Sequence, residues 1–376
     1  MEYRKLAIES YEIIKVKETN LNLIKLKNVT LFPHPTVTTK KDPVVINGKT
    51  FISLFHYHYH HFLIDTVAQY EFIKKYVPEL NIEFLARDAA YLWRKKEDLS
   101  DYSPQLFIDY IKTKHFGSSR DVIDLGVEQH KYFEGIFNMY NKSKNKLIYS
   151  DITDNIVFEE VYFLVDDFEF FQPQYLKEIG LTENEIPWLS PEWKTTSGSK
   201  LFESWGKLAW EHDGIRCASK VIKPLIKKDT KSPKKIYISR QLANKRYIEE
   251  KSKLDFWAVD KNLKARVFEE EDQLEDFFVK NGYTSVTLEG TPFLEQMQLF
   301  YNATHIASLS GSGLVNIIGC DVDAKIIEIR AIKQFAYNYH DYARALGLQL
   351  KLIDLPSADK RTCTIEEEMA KYIDEI

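Results

Sequence analysis

The strongest constraint on this chain is a regular alternation of short apolar runs and amphipathic runs across the second half of its sequence. Ile236–Ser239, Ser285–Leu288, Thr304–Leu309, Lys325–Ile329 and Leu348–Ile353 read as strands. Glu270–Asn281, Pro292–Asn302, Ser312–Cys320 and Phe335–Leu346 read as the helices between them. Gly282 and Gly347 stand where helices stop, and Pro292 stands where one starts. Strands and helices alternating across short loops imply a parallel sheet wrapped by helices. In such sheets ligands sit beyond the carboxyl ends of the strands.

One of those ends carries an unusual turn. In Thr304–Asn316 (THIASLSGSGLVN) the apolar run His305–Leu309 leads into Ser310-Gly311-Ser312-Gly313, and Leu314-Val315-Asn316 then opens a helix. The first amides of a helix have no partner within it, and the peptide dipoles aim their positive end at the turn, so the arrangement suits an anion. Glycine permits positive φ there and lets a ligand approach closely. A packing turn is the plainer reading, and the strand-end position favours phosphate. Three other strand or helix ends point the same way. Arg240 closes the strand Ile236–Ser239, where a guanidinium can fork onto phosphate oxygens. Glu270 and Glu271 put acids in the first turn of a helix, which its dipole favours. Glu328 lies among apolar residues near the end of Lys325–Ile329, placed to take both hydroxyls of a ribose. Glu295-Gln296, on the helix before the central strand, reads more simply as a solvated face.

The chain of 376 residues is long enough for two or three domains. We divide it at 205/206, with Pro173–Ser199 irregular and Leu201–Lys227 a connecting helix. In the first half, Ile13–Val16, Leu21–Leu26, Thr36–Thr39, Phe51–Leu54, Asn81–Leu85 and Val157–Val165 read as strands, and Asn47-Gly48 as a hairpin turn. His61–Val77 and Ser103–Lys114 read as helices. A final helix, Ile365–Ile376, is free to pack back on the first domain.

A net charge of −5 and a pI near 6.1 argue against a nucleic-acid partner, despite seven lysines between Lys220 and Lys235. The aromatic fraction, 14%, suits surfaces that stack on sugars, and equally a core rich in Tyr and Phe. Cys217, Cys320 and Cys363 are too far apart for a disulfide framework or a zinc pattern and fit a reducing compartment. The first residues lack the apolar core of a signal peptide, and no run approaches the ~18 apolar residues of a membrane span. The expectation is a cytoplasmic protein that could rest on the cytoplasmic face of a membrane.

The order of these pieces resembles glycosyltransferase family 61. Tyr237-Ile238-Ser239-Arg240 is similar to the family's strand ending in Ser-Arg, and Glu270-Glu271 to its Asn-Glu helix start. Gly311-Ser312-Gly313-Leu314-x-Asn316 resembles its His-Gly-Ala-Gly-Leu-Thr-Asn turn, and His61-Phe62-Leu63-Ile64-Asp65 its His-Trp-Leu-x-Asp. The similarity covers residues 50–75 and 234–350. Ser310 stands in place of the family's His, and Ser312 in place of its Ala. Arg246 and Arg266 compete for the role of its second arginine.

The resemblance implies an α/β protein of the GT-B type, two Rossmann-like domains facing each other across a cleft. It implies inverting transfer from a nucleotide-sugar, UDP-linked in most members, to a glycan or glycolipid acceptor, without a metal or other cofactor. The nucleotide-sugar would meet Arg240, Arg246, Arg266, Glu271, Ser310, Gly311, Ser312, Gly313, Leu314, Asn316 and Glu328. Inversion needs one general base on the acceptor hydroxyl. His61 and Asp65, at i and i+4, share a helix face; Asp65 is the preferred base, with His61 beside it, although the pair could equally be structural. A nucleotide- or glycan-binding relative without activity is the alternative. A metal-dependent hydrolase built on His56, His58 and His60 is a third reading. Asp166-Asp167 and Asp321-Val322-Asp323 are similar to the Asp-x-Asp metal site of the other large glycosyltransferase fold, although a turn favours Asp in any case.

Overall fold

The computed structural model describes residues 11–17, 19, 22–32, 42–55, 60, 62–86, 155–164, 209–227, 229, 231–242, 245, 268, 270–330, 339–356 and 360–372. Within these the chain forms two compact units, and the boundary between them falls at Ala218/Ser219. Each unit is built on its own five-stranded sheet.

The first sheet is mixed. It contains β1 (Tyr11–Lys15), β2 (Asn22–Phe32), β3 (Val44–Phe55), β4 (Asn81–Ala86) and β5 (Ile156–Leu164), in the order β1-β2-β5-β3-β4. β1–β2 and β2–β5 pair antiparallel, while β5–β3 and β3–β4 pair parallel. A Rossmann-like sheet would be parallel throughout, so only the β5-β3-β4 half follows that expectation. Asn47-Gly48 makes no hairpin. It lies inside β3, where the register against β5 shifts between Ile46 and Lys49. Gly48 takes φ +83° there and donates its amide to Glu159 at 2.7 Å. The positive φ that marks a hairpin turn marks a bulge equally well.

The helical pattern expected from His61 onward is present from Phe62. It begins as a wide π-helical segment, Phe62–Ala68, and tightens into α1 (Gln69–Tyr76). Phe72 and Ile73 of α1 pack with Val16, Leu23, Phe51, Leu80, Tyr162 and Leu164 to form the core of this unit. Helix α2 (Ala209–Ile222) approaches the π segment through Gly214, where an added Cβ would stand 2.9 Å from the Ala68 carbonyl oxygen.

The second sheet is wholly parallel. Its strands are β6 (Lys235–Ser239), β7 (Thr284–Thr287), β8 (His305–Leu309), β9 (Lys325–Arg330) and β10 (Gln349–Asp354), in the order β10-β9-β8-β6-β7. Central strands are covered on both faces: Ile236–Ser239, Ile306–Leu309 and Ile326–Ile329 are all buried. The edge strands β7 and β10 are mostly half-buried or exposed.

Helix α3 (Glu271–Lys280) follows β6, and α4 (Phe293–Asn302) precedes β8. Helix α5 (Tyr339–Leu346) precedes β10, and α6 (Ile365–Ala370) follows it. The segment Ser312–Gly319 is a 3-10 helix, tighter than the α-helix its sequence suggests. Helices α3 and α5 both close with a left-handed glycine. Gly282 and Tyr283 return amides to Val279 and Phe278 at 3.0 Å, and Gly347 and Leu348 return theirs to Arg344 at 3.2 Å and Ala343 at 2.8 Å. On one face of the sheet, Leu274, Phe277 and Phe278 of α3 and Ile365 and Met369 of α6 pack against Tyr237, Leu309, Ile327, Ile329 and Ile353. Ile238, one residue from Tyr237 and so on the opposite face, lies beside Gly313 of the 3-10 segment.

The expected strand Thr36–Thr39, helix Ser103–Lys114 and irregular Pro173–Ser199 lie outside the described residues. The final helix is seen over Ile365–Ala370, and its apolar residues enter the core of the second unit.

Substituting Gly214→Ala sets a helix-propensity gain of about 1 kcal/mol against a backbone clash. Crowding of that kind costs about 1–3 kcal/mol. The expected outcome is a net loss of about 1 kcal/mol, read as a fall of a few degrees in the melting temperature.

Candidate functional site

With the five strands of the second unit counted in chain order, their arrangement is 2-1-3-4-5, with β6 first and β8 third. The connection leaving β6 runs toward β7, and the one leaving β8 runs toward β9. They diverge, and that divergence opens the crevice in which doubly wound sheets bind ligands. Arg240 immediately follows β6, and Ser310-Gly311-Ser312-Gly313 immediately follows β8. The two elements singled out in the sequence are therefore brought together here.

The contact between them is direct. Arg240 Nη1 donates to the Ser310 carbonyl at 2.9 Å. Gly311 makes room for the guanidinium, since an added Cβ would stand 3.1 Å from Arg240 Nη1. Neither turn glycine uses the left-handed region: Gly311 is extended (φ 173°, ψ 168°), and Gly313 is not among the positive-φ glycines. Close approach, rather than positive φ, explains both. At Gly313 a Cβ would stand 2.9 Å from Leu288 Cδ1. Gly311 also accepts the Leu314 amide at 3.0 Å, the first hydrogen bond of the 3-10 segment. The amides of Ser312 and Gly313 precede it; Ser312 is exposed and Gly313 half-buried.

Beneath the turn lies a layer of buried polar groups. Ser310, 2% exposed, donates its hydroxyl to Glu328 Oε1 at 2.6 Å and its amide to the Ile329 carbonyl at 2.8 Å. Glu328 is 3% exposed, and burial pushes its carboxyl up to about 7 despite the Ser310 hydroxyl. Glu271, in the first turn of α3, accepts the Arg240 backbone amide. Burial pushes its carboxyl up to about 7 as well, opposed by that amide and by the Arg240 charge. Asn316 is fully buried and donates to Gln296 Oε1 at 3.0 Å. Gln296 donates in turn to the carbonyls of Leu288 (3.2 Å) and Thr291 (2.7 Å). It is no solvated face: it is 4% exposed and ties the loop after β7 to the 3-10 segment. Leu314 is wholly buried.

Of the expected nucleotide contacts, Arg240, Ser312 and Gly313 reach the surface, while Glu271, Ser310, Gly311, Leu314, Asn316 and Glu328 are buried. The backbone of Asp65 lies in the π-helical segment. His61, Arg246, Arg266, His56, His58 and Asp166-Asp167 lie outside the described residues. His60 is buried. Asp321 accepts the amide of Val322 at 2.9 Å, as an Asp in a turn does. Among the described residues no group of three or more His, Cys, Asp or Glu could hold a metal ion. Among the described residues no helix is long and apolar enough to cross a membrane.

Sequence reading missed two parts of the site. Tyr339, fully buried on α5, donates its hydroxyl to the Gly311 carbonyl at 2.7 Å across 28 positions. Glu275 on α3 gathers Ser239 Oγ (2.7 Å), Ser285 Oγ (2.6 Å) and Gln241 Nε2 (2.9 Å), which braces the end of β6. Both are ordinary residues on ordinary helices, and no local pattern marks them.

A family model described as Glycosyltransferase 61 matches residues 59–327, a span containing β6 to β8, the glycine turn and the first half of β9. No curated protein matches the chain.

The buried carboxyls set a pH dependence. Glu271 and Glu328 keep their protons to about 7 in the fold but release them near 4.5 when unfolded. Their contribution to stability is therefore complete below about 4.5 and is lost as pH rises toward 7. It is on the order of 3 kcal/mol per carboxyl at most. Glu328→Gln keeps a hydrogen-bonding group of the same shape, and its stability should change less than that of the wild type between pH 5 and 7 in chemical denaturation.

Proposed function

This chain belongs to the glycosyltransferase 61 family, and from that premise we propose that it moves a sugar from a nucleotide-sugar, UDP-linked, to a hydroxyl of a glycan or glycolipid acceptor. The second unit holds the donor and the first supplies the acceptor site and the base, as two lobes of the GT-B type. The observation that carries this reading is the pairing of Arg240 with the Ser310–Gly313 turn at the point where the sheet order reverses.

The leaving diphosphate gathers negative charge as the glycosidic bond breaks. A guanidinium and a helix N-terminus fixed beforehand stabilise that charge without reorganising. The start of the 3-10 segment at Ser312 and Gly313, with Arg240 beside Gly311, would supply both parts. Glu328 is engaged by Ser310 Oγ, so we assign it to holding the turn rather than to gripping a ribose. Asp65 is the proposed base for a single in-line displacement with inversion, and His61 its neighbour. No metal or other cofactor enters this scheme, because the cationic elements named above perform the charge neutralisation. Synthesis of a cell-surface polysaccharide on the cytoplasmic face of a membrane is the setting proposed.

One observation favours a second reading, a relative that binds without turnover. Ser310 stands where the family pattern has His, and its side chain points into the protein toward Glu328.

UDP should raise the melting temperature without added divalent ion, and Arg240→Ala should remove the shift. Activity abolished by EDTA and restored by a divalent ion would overturn the metal-free scheme. Asp65→Asn should keep UDP affinity and lose sugar transfer; equal loss of both would mark Asp65 as structural. Nucleotide binding by the wild type with no turnover of UDP-, GDP- or CMP-sugars would select the second reading.

A further inference from the structure

We propose that Tyr339 is a positioning residue for the donor diphosphate, one that aims the Ser312 amide to the same side of the chain as the Arg240 guanidinium. The inference rests on the reading of the Ser310–Gly313 turn as the diphosphate site.

The argument is one of peptide geometry. In a trans peptide the C=O and the following N–H point in opposite directions. In an extended residue its own N–H and C=O point the same way. Gly311 is extended, with φ 173° and ψ 168°. The Ser310 carbonyl therefore lies on one side of the chain and the Gly311 carbonyl on the other. The Ser312 N–H, opposite the Gly311 carbonyl, returns to the side of the Ser310 carbonyl. That is the side from which Arg240 Nη1 donates, at 2.9 Å.

The Ser310 carbonyl is held by Arg240, and the Gly311 carbonyl by two donors, the Leu314 amide at 3.0 Å and the Tyr339 hydroxyl. Tyr339 Oη holds the Gly311 carbonyl at 2.7 Å from the interior, where the tyrosine is fully buried. Its ring is fixed against Tyr342, with centroids 6.0 Å apart and an edge-on approach. Ser312, on the other side, is exposed. Rotation of the Gly311–Ser312 peptide would turn the amide away from an anion and break both the tyrosine bond and the Leu314 bond. Glycine, with no Cβ to restrain such a rotation, is where that restraint is most needed. The Tyr339 hydroxyl thus acts on a bound anion without touching it. An anion seated between the guanidinium and the Ser312 amide gains a charge-assisted hydrogen bond from each.

The test is paired calorimetric titration of UDP against uridine and of GDP against guanosine, on the full chain. Tyr339→Phe removes only the hydroxyl. It should weaken binding of the preferred diphosphate about five- to tenfold, the scale of one neutral hydrogen bond, and leave its nucleoside unchanged. Gly311→Ala keeps the tyrosine bond but crowds the guanidinium, and it should show the same selective loss. Diphosphate affinity unaltered in Tyr339→Phe, or diphosphate and nucleoside weakened equally, would overturn the role given to Tyr339. A wild type that binds neither diphosphate better than its nucleoside would instead overturn the site reading, and this inference with it.

Discussion

The hydrogen bond from Arg240 to the Ser310 carbonyl joins the ends of two neighbouring parallel strands whose following connections run in opposite directions. Everything else in the candidate site can be read as support for it. Glu271 holds the Arg240 backbone from α3, and Glu275 holds Ser239 and Gln241 on either side. Glu328 holds Ser310 from the next strand, and Tyr339 holds Gly311 from α5. These groups are buried, or partly so, and each engages a polar atom of the turn or the strand end. A buried polar group is tolerable only when it is paired. The interior chemistry therefore fixes the two backbone segments, and Arg240, Ser312 and Gly313 are the parts of them that reach the surface.

That division changes the meaning of the sequence motif. Glu271, Asn316 and Glu328 attract attention as polar residues at strand and helix ends, which invites assigning each a ligand contact. All three are buried, with Glu271 bonded to the Arg240 amide, Glu328 to Ser310 and Asn316 to Gln296. The glycines are similar. An added Cβ would stand 3.1 Å from the Arg240 guanidinium at Gly311 and 2.9 Å from the end of the Leu288 side chain at Gly313, so glycine gives both neighbours room. Positive φ, the more familiar reason, applies at Gly282 and Gly347, where it ends two helices.

The first unit shows the limits of local pattern more sharply. Its strands were legible because their apolar residues alternate or cluster, yet their directions were not. Nothing in Asn22–Phe32 or Ile156–Leu164 states that they run antiparallel to each other, while Ile156–Leu164 runs parallel to Val44–Phe55. Pairing direction depends on connections that lie elsewhere in the chain. Asn47-Gly48 illustrates the same limit: the dipeptide demands a left-handed glycine, and the partner strand decides whether that becomes a turn or a bulge.

By itself the sequence determined the alternation of strand and helix from residue 235 onward, the helix stops at Gly282 and Gly347, and the turn that the family shares. These depend on periodicity and backbone conformation, properties of residues within a few positions of one another. Tertiary structure alone decided the strand order that sets β6 beside β8, and with it the meeting of Arg240 and Ser310. It also decided that Tyr339 would reach Gly311. Those contacts span 70 and 28 positions, and they form only because burying two faces of one parallel sheet folds distant segments onto the same edge.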